Sequence, residues 1–498
     1  MSLCRLHYFA ILELFCFHHH LSLLNSSLSH STITFCLFWN HEVTASHLPE
    51  EKNGLKFFSK NGGLTKHDID TLIVLAQEEA RHVYDMGILP PSSGNAGVLC
   101  SERVDYMPYY EETLRQAILR EVGSDSSSVS SSKPLSNINI VVNPGNGAGC
   151  FFVNILRDLG ANVEGSIHVN PDGTFPISFG VPNPEKKSMV DETIRACEAC
   201  NADIGIMFDT DADRAGFILP RTVNDPIDDD EGGTRKSSLQ KSSYEPLNKN
   251  RLIALLGVIF SMTSPGCTIV TDSTTSEGLH SFLETKLNLH HFRYLRGYAN
   301  VIGKAREFTE SGVANAEMAI ETSGHCAMKE NGYVDDGTYT AVKVIGLLAR
   351  ARAESLSSLE RSSSGGCSGT LLDMISDLEE MPYVEEFRVR VTDGSSKTTS
   401  SIFTQLSEAL IETCNNSGNT DWTLDNDNLE GVRARLSSTS SSSSGGFFMI
   451  RQSLHDPVIS VQVEANSKED ASEKVLRPLL ELFSKYRDTL DYNSLEVA

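Results

Sequence analysis

From about residue 138 onward, short apolar runs rich in β-branched residues alternate with longer segments whose apolar residues recur every three or four positions. INIVV (Ile138 to Val142) runs into the Gly-rich turn NPGNGAG and then the helical CFFVNILRDLG, giving a strand, a turn and a helix in that order. The order returns with IGIMF at 204 to 208 and with TIVTD (Thr268 to Asp272) ahead of a helix from about Glu277. An amphipathic helix, TYTAVKVIGLLARARAESL, is predicted after Gly337. Repeated strand-then-helix units predict α/β layers on mixed or parallel sheets. The last segment differs: FRVRV, FFMIRQS and VISVQVEA read as strands, and KEDASEKVLRPLLELFSKYRDTL as one helix, an α+β arrangement suited to a small closing domain.

Breaks in this pattern mark connections. Three Ser-rich tracts, at 124 to 133, 357 to 369 and 437 to 446, are too polar to pack and read as flexible. A fourth stretch, Arg221 to Asn248, clusters charge with turn formers and reads as a loop or hinge. The first forty residues are aromatic and acid-poor but hold no apolar run near the ~18 residues that a membrane span needs. They match neither a signal peptide nor an Arg-rich transit peptide well.

Composition narrows the function. A chain of 498 residues is long enough for roughly three to four domains. Its formal charge of -24 repels phosphate backbones and anionic lipid alike, so nucleic acid and membrane surfaces are poor partners. The 11 scattered cysteines fit free thiols in a reducing compartment better than a disulfide framework. The CxxC of Cys197 and Cys200 lacks a second pair and lies in a helical pattern, so both read as helix residues; the histidines at 18 to 20 lack ligand partners.

Four stretches carry candidate chemistry. In FDTDADR, Asp209, Asp211 and Asp213 follow a buried-looking strand, where oxygen ligands at alternate positions can converge on one hard divalent cation. An EF-hand is excluded, because Arg214 and Pro220 stand where that loop needs Gly and Glu. An aspartyl phosphatase also presents DxD, and a solvated acidic turn is the plain alternative. In TASHLPEEKNGLKFF, Ser46 sits beside His47 with Lys56 ten residues on, without the elbow of an acyl hydrolase. AIETSGHCAMKENGYVDDG offers Glu321 and Ser323 to neighbouring sugar hydroxyls, or is merely a polar loop. FFMIRQSLHDP leaves a strand with Arg451 and Ser453, a guanidinium fork and a hydroxyl able to hold a phosphate dianion.

Taken together and in this order, the four stretches resemble the active-site loops of the α-D-phosphohexomutase superfamily, which contains phosphoglucomutases and phosphomannomutases. Its loops look like TASHxPxxxNGxKF, DxDxDR, GExSGH and RxSGTEP, and NPGNGAG (143 to 149), PDGTFP (171 to 176) and YVDDGTYTAVKVI (333 to 345) add to the likeness, which covers residue 41 to the C-terminus. The resemblance implies four domains around a central cleft: the remainder of a first domain at 41 to 135 behind an atypical leader (1 to 40), then 136 to 248, 249 to 370 and 371 to 498. Three would be α/β with mixed sheets and the last α+β. It implies that Asp209, Asp211 and Asp213 hold Mg²⁺ together with a phosphate oxygen on Ser46. Phosphorylated Ser46 would give its phosphoryl group to a hexose monophosphate, and the resulting hexose 1,6-bisphosphate would turn over and return the other phosphate. His47, Lys56 and Arg214 would assist the transfer, Glu321, Ser323 and His325 would hold the sugar, and Arg451, Ser453 and His455 the non-reacting phosphate.

The departures from the family pattern are informative. No Arg-Gly element precedes Ser46, so a truncated first domain with exposed sheet edges is expected. Leu454 and His455 stand where the phosphate loop has Gly or Asn and then Thr; Ile320 replaces Gly, and Thr322 stands where Gln would mark the glucosamine-phosphate branch. Glucose and mannose phosphates are therefore the expected substrates. A catalytically silent relative that binds sugar phosphate or a partner is the alternative, and the phosphatase ranks third. The Ser-rich tracts and the SLHDP variant look similar to plant plastid-type members, so the compartment is expected to be plastid stroma or cytoplasm.

Overall fold

The computed structural model describes residues 40–44, 54–59, 62–64, 66–85, 105–123, 133–222, 242–247, 249–361, 371–416, 421–437, 445–453 and 456–496. Residues 1–39, Ser46, His47, His455 and most of the three Ser-rich tracts lie outside them. The chain divides into two compact units: one holds the described residues up to Pro246 together with Asp336–Arg350, the other Leu247–Asp335 and the described residues from Ala351 on.

The first unit contains two sheets. β1 (Asn40–Thr44), β2 (Gly54–Ser59) and β3 (Gly62–Gly63) form an antiparallel sheet in which Lys56 pairs with Glu42. Helix α1 (Lys66–Asp85) follows, with Ile73, Val74 and Leu75 each about half exposed, 50% to 53%. Helix α2 (Met107–Val122) buries Leu114, Ala117 and Ile118 and ends on Gly123 in the left-handed region, the usual helix stop. The second sheet runs β4 (Ile140–Asn143), β5 (Ile204–Phe208), β6 (Ala215–Thr222), β7 (Ser242–Leu247); β4 and β5 are parallel, β5 and β6 antiparallel. Helices α3 (Phe152–Asp158) and α4 (Lys187–Cys200) belong to this layer. Cys197 is buried on α4 against Val141, Met207 and Ile218, so the CxxC is core and helix edge, as its pattern indicated.

The second unit also contains two sheets. Helix α5 (Asn250–Thr263) is buried without interruption from Leu252 to Phe260. Strands β8 (Thr268–Asp272), β9 (His290–Tyr294), β10 (Ala316–Ile320) and β11 (Cys326–Met328) form a mixed sheet of order β11-β10-β8-β9, parallel except for the β10–β11 hairpin. Helices α6 (Glu277–Ser281) and α7 (Tyr298–Ser311) accompany it. Helix α8 (Gly337–Arg361) begins within the first unit. The last sheet is antiparallel throughout, in the order β13 (Trp422–Leu424), β14 (Val432–Leu436), β15 (Gly446–Gln452), β16 (Val458–Ala465), β12 (Tyr383–Val391), β17 (Leu490–Asp491). One face of it packs Phe387, Phe448, Ile450 and Val461 against α9 (Ser396–Asn415) and the C-terminal helical run. No described helix is long and apolar enough to cross a membrane.

Three expectations about elements are corrected. The stretch Arg221 to Asn248 is not wholly a loop: β6 ends at Thr222, and Ser242–Leu247 forms β7, an edge strand. Edge strands tolerate polar residues and proline, so SSYEPL carries no apolar alternation to announce it. The second Ser-rich tract begins inside α8, which runs on to Arg361, because Leu359, Glu360 and Arg361 are good helix formers after a long amphipathic start. The C-terminal helix is interrupted: a wide turn at Ser472–Leu476 precedes Arg477–Phe483, where Pro478 lacks the N–H a regular turn needs, and Leu490 belongs to β17.

Candidate functional site

The acidic loop leaves the buried end of β5. Asp209 is fully buried, Asp211 and Asp213 are partly exposed, and their carboxylate oxygens lie within 4.8 Å of one another. Arg214 closes the loop: its N–H donates to Asp209 Oδ1 at 3.2 Å and its Nε to Oδ2 at 2.7 Å. Burial, followed by the charges of Asp213 and Asp211, pushes the Asp209 carboxyl well above the usual range, and Arg214 only partly opposes this. Three converging carboxylates, one without solvent, are costly for a protein alone and suit a hard divalent cation, so the donor set fits Mg²⁺.

Backbone from two sides braces this loop. The NPGNGAG turn approaches through Ala148, whose N–H donates to Thr210 O at 2.8 Å, and a Cβ at Gly147 would stand 2.8 Å from that same carbonyl oxygen. From the other side Gly337, the first residue of α8, donates to Ala212 O at 3.1 Å. Ala212 itself sits in the left-handed region at φ 62°, uncommon for a residue with a Cβ.

In the second unit the ETSGH stretch is the tight link between β10 and β11. Glu321 N donates to His325 O at 2.9 Å and Gly324 N to Glu321 O at 3.0 Å, with Gly324 at φ 97° making the turn. Glu321 Oε1 accepts from Gly297 N at 2.6 Å; burial and then the charge of Asp272 raise its carboxyl pKa. Ser323 Oγ donates to Glu321 Oε2 at 3.4 Å. His325 stacks on the Tyr298 ring, centroids 5.1 Å apart, and its Nδ1 meets Asp335 Oδ2 at 2.7 Å.

Alternation in the last sheet sends Phe448 and Ile450 into the core, and Arg451 to the opposite face, opposite Ser460 on β16. Arg451 is 9% exposed and donates from Nη2 to Glu386 Oε1 at 3.0 Å; Glu386 also accepts from Ser460 Oγ. Burial, followed by the charge of Arg296, lowers the Arg451 pKa. Ser453 N donates to Val458 O at 2.9 Å, and its Oγ accepts from Asp456 N at 3.4 Å, so this hydroxyl shapes its own turn.

Several residues of this region were not legible in the sequence. Asp272, ending β8, accepts from Thr322 N at 2.6 Å and Thr322 Oγ1 at 2.9 Å and so holds the sugar-loop candidate from behind. Arg296 donates its backbone N–H to Glu430 Oε2 at 3.1 Å, and its charge acts on Arg451, Glu386 and Glu321 together. The only signal was its place in RGYAN just after β9. The same charged face also carries Arg433 on β14, fully buried, which donates to the Ser273 and Thr275 carbonyls at 2.9 and 3.0 Å and to Glu277 Oε1 at 2.8 Å.

Two family descriptions match the chain: phosphoglucomutase/phosphomannomutase, alpha/beta/alpha domain II over residues 117–222, and domain III of the same family over residues 248–363. The phosphomannomutase/phosphoglucomutase of Pseudomonas aeruginosa is 25% identical over 315 residues, 63% of this chain and 55% of that protein. The chain thus spans little more than half the length of that relative. Among solved structures, a phosphoglucomutase/phosphomannomutase family protein from Burkholderia thailandensis aligns with TM-score 0.60 at 20% identity, covering 89% of this chain and 76% of its own. The N-acetylphosphoglucosamine mutase of Aspergillus fumigatus, in complex with GlcNAc-6P and magnesium, aligns with TM-score 0.50 at 14% identity, covering 87% of this chain and 86% of its own.

Proposed function

Because this chain belongs to the α-D-phosphohexomutase superfamily, we propose that it interconverts the 1-phosphate and 6-phosphate of glucose or mannose through a phosphoserine at Ser46 and a hexose 1,6-bisphosphate. The observation that carries the reading is the braced loop that brings Asp209, Asp211 and Asp213 within 4.8 Å of one another. These three residues, with a phosphate oxygen on Ser46, would hold Mg²⁺. Bound there, the cation supplies charge neutralisation to the transferring phosphoryl group.

The chain's own residues divide the remaining work. A sugar oxygen attacks phosphorus, forming one P–O bond as the bond to Ser46 Oγ breaks; the bisphosphate then turns over and returns its other phosphoryl group to Ser46. The proton lost by the attacking sugar hydroxyl is taken up by the departing Ser46 Oγ and is given back when Ser46 is rephosphorylated; His47 and Lys56 assist this proton transfer and stabilise the charge beside it. Arg214, fixed by Asp209, contributes a second cation next to the acidic loop. Glu321 and Ser323 accept and donate to sugar hydroxyls, with His325 beside them. Arg451, Ser453 and His455 grip the phosphate that does not react, in both orientations of the bisphosphate. Four sheets among the described residues suit four domains, and the boundaries near residues 135, 248 and 370 rest on the resemblance. The free thiols suit a reducing compartment, plastid stroma or cytoplasm.

One observation favours a second reading. Arg451 already has a carboxylate partner in Glu386, which suits a silent relative that binds sugar phosphate weakly or binds a partner instead. A ³¹P NMR time course separates the two, using the full chain with Mg²⁺, a trace of glucose 1,6-bisphosphate and either glucose 1-phosphate or mannose 1-phosphate. Growth of the matching 6-phosphate, abolished by Ser46→Ala, is the result expected. Unchanged 1-phosphate in a folded sample would leave the silent relative standing, and inorganic phosphate would point to a phosphatase.

A further inference from the structure

The two braces of the acidic loop are joined by two side chains: Tyr110, which lies in no motif of the sequence, and Asp336, which lies in the YVDDGTYTAVKVI stretch without an assigned role. A Cβ at Gly337 would stand 2.6 Å from the carbonyl carbon of Arg214 and 2.8 Å from Ala212 O, so the backbone at 337 packs directly on the backbone at 212 to 214, to which it is also hydrogen-bonded. The position of Gly337 is set in turn by Asp336. Its Oδ1 caps α8, accepting from Tyr339 N at 2.9 Å and Thr338 Oγ1 at 2.7 Å. Its Oδ2 accepts from the Tyr110 hydroxyl at 2.8 Å. Tyr110 comes from α2, and its ring packs on Phe151, centroids 5.7 Å apart, just beyond the turn whose Ala148 supports Thr210. A single phenol therefore links the two backbone supports of the loop. Burial, and then the charge of Asp336, raise the Tyr110 pKa well above its ordinary value, so it remains a donor across the physiological range.

We propose that Tyr110 and Asp336 are positioning residues for the divalent cation: through Gly337 they fix the backbone of the 209–214 loop and hold its carboxylates at ligand spacing. This rests on the reading of that loop as a cation site. Simple attachment of α8 to α2 does not account for the arrangement, because that attachment has its own device. Lys343 Nζ donates to Glu121 Oε1 at 2.5 Å, and Arg350 pairs with Glu121 Oε2 at 3.1 Å, further along the two helices. The Tyr110–Asp336 bond lies instead at the end of α8 that touches the loop. Partners bonded directly to a ligand change metal affinity by about 10- to 100-fold when lost, and Tyr110 and Asp336, which act through the backbone of Gly337, are placed at the low end of that range.

The test is Mn²⁺ titrated into the chelator-stripped full chain, read by the EPR signal of free Mn²⁺ and by the thermal midpoint of the metal-free protein. Tyr110→Phe and Asp336→Asn are expected to weaken Mn²⁺ binding about tenfold or more. Lys343→Met, which breaks the buried ion pair between the same helices, should lower the midpoint while leaving Mn²⁺ affinity at the wild-type value. Wild-type affinity in both Tyr110→Phe and Asp336→Asn overturns the proposal, and so does an equal loss of affinity in Lys343→Met. If the wild type binds no Mn²⁺, or Asp211→Asn leaves binding unchanged, the cation-site reading itself falls and the positioning role falls with it.

Discussion

Arg451 donates to Glu386 at 3.0 Å across the charged face of the last sheet, and the two residues compete over what a phosphate would find there. Burial works against the charge of Glu386, but Ser460, Arg451 and Arg296 hold its carboxyl below the usual range, so it is anionic at neutral pH. A phosphate dianion held by Arg451, as proposed, would have to displace it. Glu386→Gln is expected to lower KM for a hexose phosphate about three- to tenfold, by removing both the competitor and the repulsion. Steady-state kinetics at two ionic strengths would check this, with the gain smaller at high salt.

Arg296 supplies the second positive charge acting on Arg451 and on Glu321. Its effect on substrate should exceed its effect on folding. Arg296→Met is expected to raise KM for hexose phosphate about tenfold, the loss of one charge-assisted contact, and to change the thermal midpoint little. An unchanged KM would remove Arg296 from the binding surface.

Glu464 is 3% exposed, and burial raises its pKa to about 7 against the pull of Arg433 and Arg293. The unfolded chain releases this proton near pH 4.5, the folded chain near 7. Between those values the native state holds the extra proton, so stability falls as pH rises through that window and levels off above it. The full effect is of order 3 kcal/mol. Glu464→Gln should therefore raise the thermal midpoint at pH 8, with the gain vanishing near pH 5; melting curves across that range would show it.

Arg433 is fully buried, its guanidinium lying 3.5 Å from the Phe447 ring centroid while it holds two carbonyls of the turn after β8. A lysine cannot reproduce the fork. Arg433→Lys is expected to cost about 3 kcal/mol, most of it from carbonyls and the Glu277 carboxylate left unpaired. Urea denaturation followed by tryptophan fluorescence in a Trp39→Phe background, which leaves Trp422 as the reporter within the same unit, would register the loss.

Local chemistry was the part that could be read from the sequence. Asp209, Asp211, Asp213 and Arg214 are contiguous, so β5 and a turn suffice to bring them together, and the strands FRVRV and VISVQVEA announce themselves by alternation. Glu321 to His325 are contiguous too, and they form the link between β10 and β11, a placement that the sequence, read only as a polar loop or a sugar-binding stretch, did not specify. Tyr110, Asp272, Arg296 and Glu386 were out of reach because each acts on a partner far away in sequence; Tyr110 and Asp336 are 226 positions apart. Strand β7 was missed because an edge strand need not alternate. Ser46, His47 and His455 fall outside the described residues.

The membership of Asp336–Arg350 in the first unit has a practical meaning for anyone cutting the gene. A fragment ending near Pro246 would lack the segment that caps and supports its acidic loop, and one starting at Leu247 would carry that segment as a stranded helix. Neither half is a contiguous reading frame. Dissecting this protein calls for a fusion that splices residues 336–350 back behind the first half across a short linker, or for point changes in the uncut chain.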